Sequence, residues 1–400
     1  PTLLDAVQLG FAEVPYTAEE AATHIRSWSY DDFYAERLRW KGWYDRSWLR
    51  MPDEGWDESN PLEATLFGMP DYKDESGDAV AIPAFMKRKW RAEGRSNDPW
   101  VNPSARELRR DRAWSPSQYV IAWIAAWVEE FGIDGFRCDI VENVHTYRWQ
   151  ELNEACNIAL ARWRAKHPES IASTWVEPFY MTGDFDSAGI ERREEYAEAG
   201  FQSLVNFYFP KSGDLDAIVY TWQAYADAIQ QHDDWHPFSY LNNSYHRDAA
   251  SDNMAACATT LLLAPGVVQI FYGDETGRGL SDARFNVDSD QAFRSDMNWE
   301  SIDEELLAHY RKLGKIRSAH PAIGRGAQTT IDVHTCYRCY NDDEVIIRVT
   351  PVAGQPIHVA PHFADGTTLE ELYSGQEVVV ENGSACLPTC ESNVAIFVRK

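Results

Sequence analysis

The sequence holds no apolar run near the roughly 20 residues that a membrane-spanning helix needs, and it opens at Pro1 with nothing of the order of a secretory signal. Such a start is expected of a chain that is processed, trimmed or incomplete at that end. Positive charge is also scarce. Lys and Arg number 37 against 63 Asp and Glu, a formal net charge of −26, and a chain with no basic footprint to neutralise phosphates is not expected to take nucleic acid as its partner. A neutral substrate fits better. Internal repeats and low-complexity tracts are absent. The seven cysteines are an odd number, so at least one is unpaired, and usage alone does not fix the compartment.

What is present is aromatic. The 16 Trp and 19 Tyr among 400 residues can stack on sugar faces, although large rings are first of all core material, and stacking gains weight only beside a catalytic motif. The length implies two or three domains. Residues 1–114 are rich in Trp, Asp, Glu, Pro and Gly with weak periodicity, which reads as irregular excursions over a scaffold. Order begins at Ser115. Its "SPSQ" offers an N-cap, Pro at the first helical position and Gln118 at the capping-box position, ahead of Tyr119, Trp123, Ala126 and Trp127 at helical spacing, with Gly132 as the stop. "IDGFRCDIV" then reads as a short strand, and "RWQELNEACNIALARW" as an amphipathic helix with Trp149, Leu152, Cys156, Ala159 and Trp163 on one stripe. The alternation runs on through "FYMTGD", "DAIVYTWQAYADAIQ", "FSYLN", "NMAACATTLLL" and "VVQIFYG". Helices of this length between short buried strands indicate parallel β/α units over 115–324. From 325 to 400, segments such as "EVIIRVT" and "NVAIFVRK" alternate between turn residues, as in a separate antiparallel β-domain.

Within "DGFRCD", Arg137 and Asp139 are two apart and share one face of the strand, while Phe136 and Cys138 take the other. A carboxylate held ionised by a guanidinium is what a glycosidase nucleophile requires. Spacing alone favours an ordinary structural ion pair.

The wider text changes that balance. "GIDGFRCDIVENV" resembles the nucleophile signature of the α-amylase family of glycoside hydrolases, "MPDY" at Met69 to Tyr72 a short motif of its loop domain, and "APGVVQIFYGDE", "RSDMNW" and "KIRSAHPAIG" follow in the family's order. The resemblance runs from "PTLLD" into the C-terminal domain and is to the periplasmic α-amylases of Gram-negative bacteria. It implies a (β/α)₈ TIM barrel with an irregular loop domain and a C-terminal antiparallel β-sandwich, periplasmic or extracellular, acting on α-1,4-linked glucans by a retaining mechanism in which one carboxylate attacks the anomeric carbon and a second protonates the leaving oxygen. Asp139 matches the nucleophile and Arg137 its partner.

Other positions depart from the pattern. The family's general acid is a Glu in a Met-Thr-Gly-Glu context, and here Asp184 stands there, one methylene shorter; Glu177 in "TWVEP" is expected to be structural. The family's His-Asp pair after the seventh strand meets "SYLNNSYHRD". Without a gap Ser244 and Tyr245 replace it, and with a short insertion His246 and Asp248 serve, against an ordinary solvated turn. Glu142 and Asn143 stand where the family has Lys and His. The first conserved region has no counterpart, so the resemblance implies that barrel strands one to three are not in this chain and are supplied by another chain, or that the product is a fragment. Calcium between barrel and loop domain would lack its Asn ligand, and remains an optional cofactor. Transglycosylation and glucan binding without turnover are rival readings. Asp274 and Glu275 read as framework. "CYRC" and "CLPTC" suggest a four-thiolate zinc site, but Cys336 and Cys339 face opposite sides of a strand, so a disulfide or buried thiols are expected instead.

Overall fold

A computed structural model describes residues 45–50, 60, 62, 71–92, 107–243, 253–279 and 293–400. The chain divides into two compact units, one comprising Pro1–Phe136, Ile140–Met181 and Glu198–Gly200, the other Arg137–Asp139, Thr182–Ala197 and Phe201–Lys400.

In the first unit, a two-stranded ribbon of β1 (Leu49–Arg50) and β2 (Asp71–Tyr72) precedes helix α1 (Ala84–Ala92). That helix lies inside the stretch read as irregular. Helix α2 (Pro116–Phe131) starts and stops where the capping signals place it: the Ser115 N–H donates to the Gln118 side chain at 3.0 Å, and Gly132 ends it at φ +66°. A Cβ at Gly132 would lie 2.3 Å from the Trp163 ring, so glycine is required by backbone and neighbour alike. Tyr119 is buried and Trp123 stacks on Trp48, with Val80 and Ile82 in the same cluster. Trp127, expected on that stripe, is instead 59% exposed beside Phe131, because helical rotation carries it past the edge of the packed face. Helix α3 (Thr146–Lys166) buries Leu152, Cys156 and Ala159 of its expected stripe.

A five-stranded sheet runs in the order β3 (Gly135–Cys138), β4 (Tyr180–Gly183), β5 (Ser203–Asn206), β6 (Phe238–Tyr240), β7 (Val267–Gln269). The pairings β4–β5, β5–β6 and β6–β7 are parallel, with Thr182 opposite Ser203, Val205 opposite Phe238 and Ser239 opposite Val268. Strand β5 was not legible: its four residues, Ser and Asn included, are all buried and too short to show a period. A Cβ at Gly135 would meet the Tyr180 carbonyl at 2.7 Å, which explains the glycine of "DGF" as a requirement of close backbone approach. The second unit adds α4 (Glu194–Glu198, shared with the first at its last residue), α5 (Ile218–Gln231), α6 (Met254–Leu262), α7 (Glu304–Ala319) and α8 (Pro321–Arg325).

The C-terminal strands are β8 (Ala327–Asp332), β9 (Thr335–Tyr340), β10 (Asp343–Val349), β11 (Pro356–His358), β12 (Thr368–Glu371), β13 (Gln376–Val379), β14 (Ser384–Cys386) and β15 (Val394–Arg399). Six form an antiparallel sheet ordered β13-β12-β15-β10-β9-β8, and β11 pairs with β14. One face buries Ile346, Leu369 and Phe397 with Ile357 and Ala385 of the small sheet; the other buries Val345, Ile347 and Ile396 with Trp222, Leu261 and Leu313 of the helices. At roughly 1.5 to 3 kcal/mol for each such side chain, the sheet thus closes two hydrophobic clusters, one against the small sheet and one against helices of the second unit. All seven cysteines are unpaired, and Cys339 Sγ donates to the Asn341 carbonyl; of the C-terminal four, Cys336 is buried, Cys339 and Cys390 are half-buried and Cys386 is exposed, so the expectation of buried thiols holds at Cys336 alone. No helix among the described residues is long and apolar enough to cross a membrane.

Candidate active site

Alternation along β3 sends Cys138 inward, where it is 7% exposed, and leaves Arg137 and Asp139 outward at the strand's carboxyl end. The Cys138 carbonyl accepts the main-chain N–H of Asp184 at 2.8 Å, bringing the ends of β3 and β4 side by side. One guanidinium then serves both carboxylates: Arg137 Nη1 donates to Asp139 Oδ1 and Nη2 to Asp184 Oδ2. The two acids differ in environment. The Asp139 side chain is 54% exposed, that of Asp184 only 14%. Burial pushes the Asp184 carboxyl above the usual aspartate range, Arg137 opposes that and the nearby Asp139 charge adds to it. An open, ion-paired carboxylate beside a sheltered one whose affinity for a proton is raised is the kind of asymmetry that acid and nucleophile need in glycoside cleavage.

The remaining positions sort by place. Glu177 is exposed and precedes β4, at the opposite end of that strand from Asp184, and its carbonyl accepts from Arg164 at 3.0 Å. Tyr245, His246 and Asp248 lie outside the described residues. Glu142 and Asn143 form a 3₁₀ turn, Val141–Asn143. Asp274 is 1% exposed and accepts from Asn242 at 2.7 Å, and Glu275 accepts the Gly273 N–H at 2.9 Å, both contacts of a framework. Two groups went unnoticed in the sequence. Lys211, beyond β5, lies over the Tyr240 ring at 4.4 Å with its Nζ 3.3 Å from the hydroxyl; the only signal was position after a strand end. In the first unit, buried Asp74 accepts from both the main chain and the ring of His145, a pair 71 residues apart that no local pattern announces. Among the described residues, no group of three or more His, Cys, Asp or Glu is arranged to hold a metal ion.

No family model matches the sequence. The chain is 32% identical over 336 residues to a periplasmic alpha-amylase of Escherichia coli (strain K12), an alignment covering 80% of this chain and 46% of that protein. It thus spans about half the length of that curated relative. Among solved structures it resembles the alpha-amylase of Geobacillus thermoleovorans complexed with acarbose, with a TM-score of 0.58 at 16% identity over 93% of this chain and 75% of the other. An Anoxybacillus alpha-amylase gives 0.56 at 18% identity over 92% and 72%. At such identities the structural likeness speaks for the fold alone.

Proposed function

The chain belongs to the α-amylase-like glycoside hydrolases, and from that premise we propose that it cleaves α-1,4-linked glucans with retention of configuration. Asp139 is the nucleophile: its carboxylate bonds to the anomeric carbon as the glycosidic C–O bond breaks. Asp184 is the acid, giving its proton to the departing oxygen, and then, ionised, it takes a proton from the water that hydrolyses the glycosyl ester. Arg137, donating to both carboxylates, holds the two groups in register. Asp248 is proposed as the third carboxylate, with His246 and Tyr245 as sugar contacts; a (β/α)₈ barrel is the proposed frame, and the periplasm or exterior the proposed location, in keeping with the named relative. An oligosaccharide ligand accords with the acarbose complex of the Geobacillus neighbour. Calcium enters no step.

The observation that carries this reading is the single Arg137 guanidinium shared by an exposed Asp139 and a sheltered Asp184 with a raised carboxyl. A second reading, glucan binding without turnover, is favoured by the short Asp184 side chain tied to that guanidinium. Release of reducing ends from soluble starch by the purified chain, beside Asp139→Asn and with calcium added or chelated, separates the two. Activity that the substitution removes supports the hydrolase; a folded chain that binds glucan and releases none supports the binder.

A further inference from the structure

The turn that leads from β3 into α3 opens with a residue in an unfavourable conformation. Ile140, directly after Asp139, has φ 45° and ψ 60°, a left-handed geometry that a β-branched side chain resists and that persists only where the surroundings over-determine it. Two contacts do so in the first unit. Trp149 Nε1 donates to the Val141 carbonyl at 3.0 Å. At the far end of the turn, Asp74 Oδ2 accepts the His145 main-chain N–H and the ring Nδ1–H, each at 2.8 Å. Asp74 is 1% exposed, and its own carbonyl accepts from Ser117 Oγ at 2.9 Å and from Arg148 Nε at 2.8 Å, so it is tied to the starts of both α2 and α3. A carboxylate so placed is a rigid anchor, and the residue it grips is the last of the segment that begins at Ile140.

We propose that Asp74 is a positioning residue: by gripping His145 it fixes the segment continuing from Asp139 and maintains the left-handed turn at Ile140. The catalytic part of this proposal rests on the reading of Asp139 as nucleophile; the clamp itself does not. The main-chain hydrogens of Asn143, Val144 and His145 are all hydrogen-bonded, to Ile140, Val141 and Asp74 respectively, and report on the clamp without any assay of activity.

The test compares the full chain with its Asp74→Ala and Asp74→Asn forms by hydrogen exchange and by starch hydrolysis. In Asp74→Ala those three amides exchange about tenfold faster or more while α5 and the C-terminal strands are unchanged. The same variant loses about tenfold in kcat with KM within about twofold. Asp74→Asn, which keeps an acceptor oxygen for the His145 N–H, recovers most of both and stands in if the alanine form does not fold. Unchanged exchange at 143–145 overturns the clamp. A lowered thermal midpoint with kcat intact well below it overturns the positioning role and leaves Asp74 merely structural. If the parent itself proves inactive the catalytic reading of Asp139 fails, and exchange alone still decides the clamp.

Discussion

The main-chain N–H of Asp184 donates to the carbonyl of Cys138 at 2.8 Å, which staples the ends of β4 and β3 where the two candidate catalytic carboxylates leave their strands. From that staple, with the Arg137 bridge above it, the behaviour of the site follows.

Arg137→Lys keeps the charge and loses the fork, and a single ammonium cannot hold both Asp139 and Asp184 in fixed register. The expected loss is about a hundredfold or more in kcat/KM, with the fold unchanged by circular dichroism. Steady-state kinetics on maltooligosaccharides checks it; an Arg137→Lys form as active as the parent would mean that the bridge has no part in turnover.

Asp184→Glu restores the length that the family's acid has. Because a misplacement of about 1 Å can cost on the order of a hundredfold, the longer acid is expected to raise kcat by about tenfold or more. Asp184→Asn removes the proton and the activity together. In the parent, burial raises the Asp184 carboxyl, so the protonated acid survives to higher pH than an exposed aspartate would allow, and activity falls as pH climbs through that raised value. A pH profile of kcat/KM for the parent and the glutamate form is the check.

His309 is 6% exposed in α7, its Nδ1 2.7 Å from the Tyr373 hydroxyl and its Nε2 2.9 Å from Thr259 Oγ1 and 3.1 Å from the Ala255 carbonyl. Burial lowers its affinity for a proton, and Lys312 adds to that against the Ala255 carbonyl. The folded state therefore binds fewer protons than the unfolded chain, whose histidine titrates near 6.5. Stability from this group is full above that value and falls as pH drops below it. His309→Gln should flatten part of the acid limb in urea titrations between about pH 7 and 5; His236 and His362, lowered likewise by burial, account for a further part.

Gly132→Ala places a Cβ 2.3 Å from the Trp163 ring at a residue with φ +66°. Strain and overpacking together should cost about 1 to 3 kcal/mol, read as a lowered urea midpoint with unchanged slope.

Much of this architecture was legible because its signals are local. Ser115, Pro116, Gln118 and Gly132 announce α2 by cap chemistry, and the Arg137–Asp139 spacing puts both on one face of β3 whatever else the chain does. What was hidden depends on distant partners. Nothing near Asp184 says that burial raises it or that it shares Arg137 with Asp139, and the Asp74–His145 grip joins residues 71 apart. Strand β5 and helix α1 were missed for opposite reasons: "SLVN" is polar at both ends yet wholly buried, and Ala84–Ala92 sits among residues whose composition reads as loop.

The most direct measurement of the central claim is covalent trapping. The chain is incubated with a fluorinated maltosyl donor whose ester forms faster than it hydrolyses, then digested and read by mass spectrometry. One glycosyl adduct per chain on the peptide carrying Asp139, absent from Asp139→Asn, is the expected result. No adduct from a folded chain that binds maltooligosaccharides, or an adduct on another carboxylate, would contradict it.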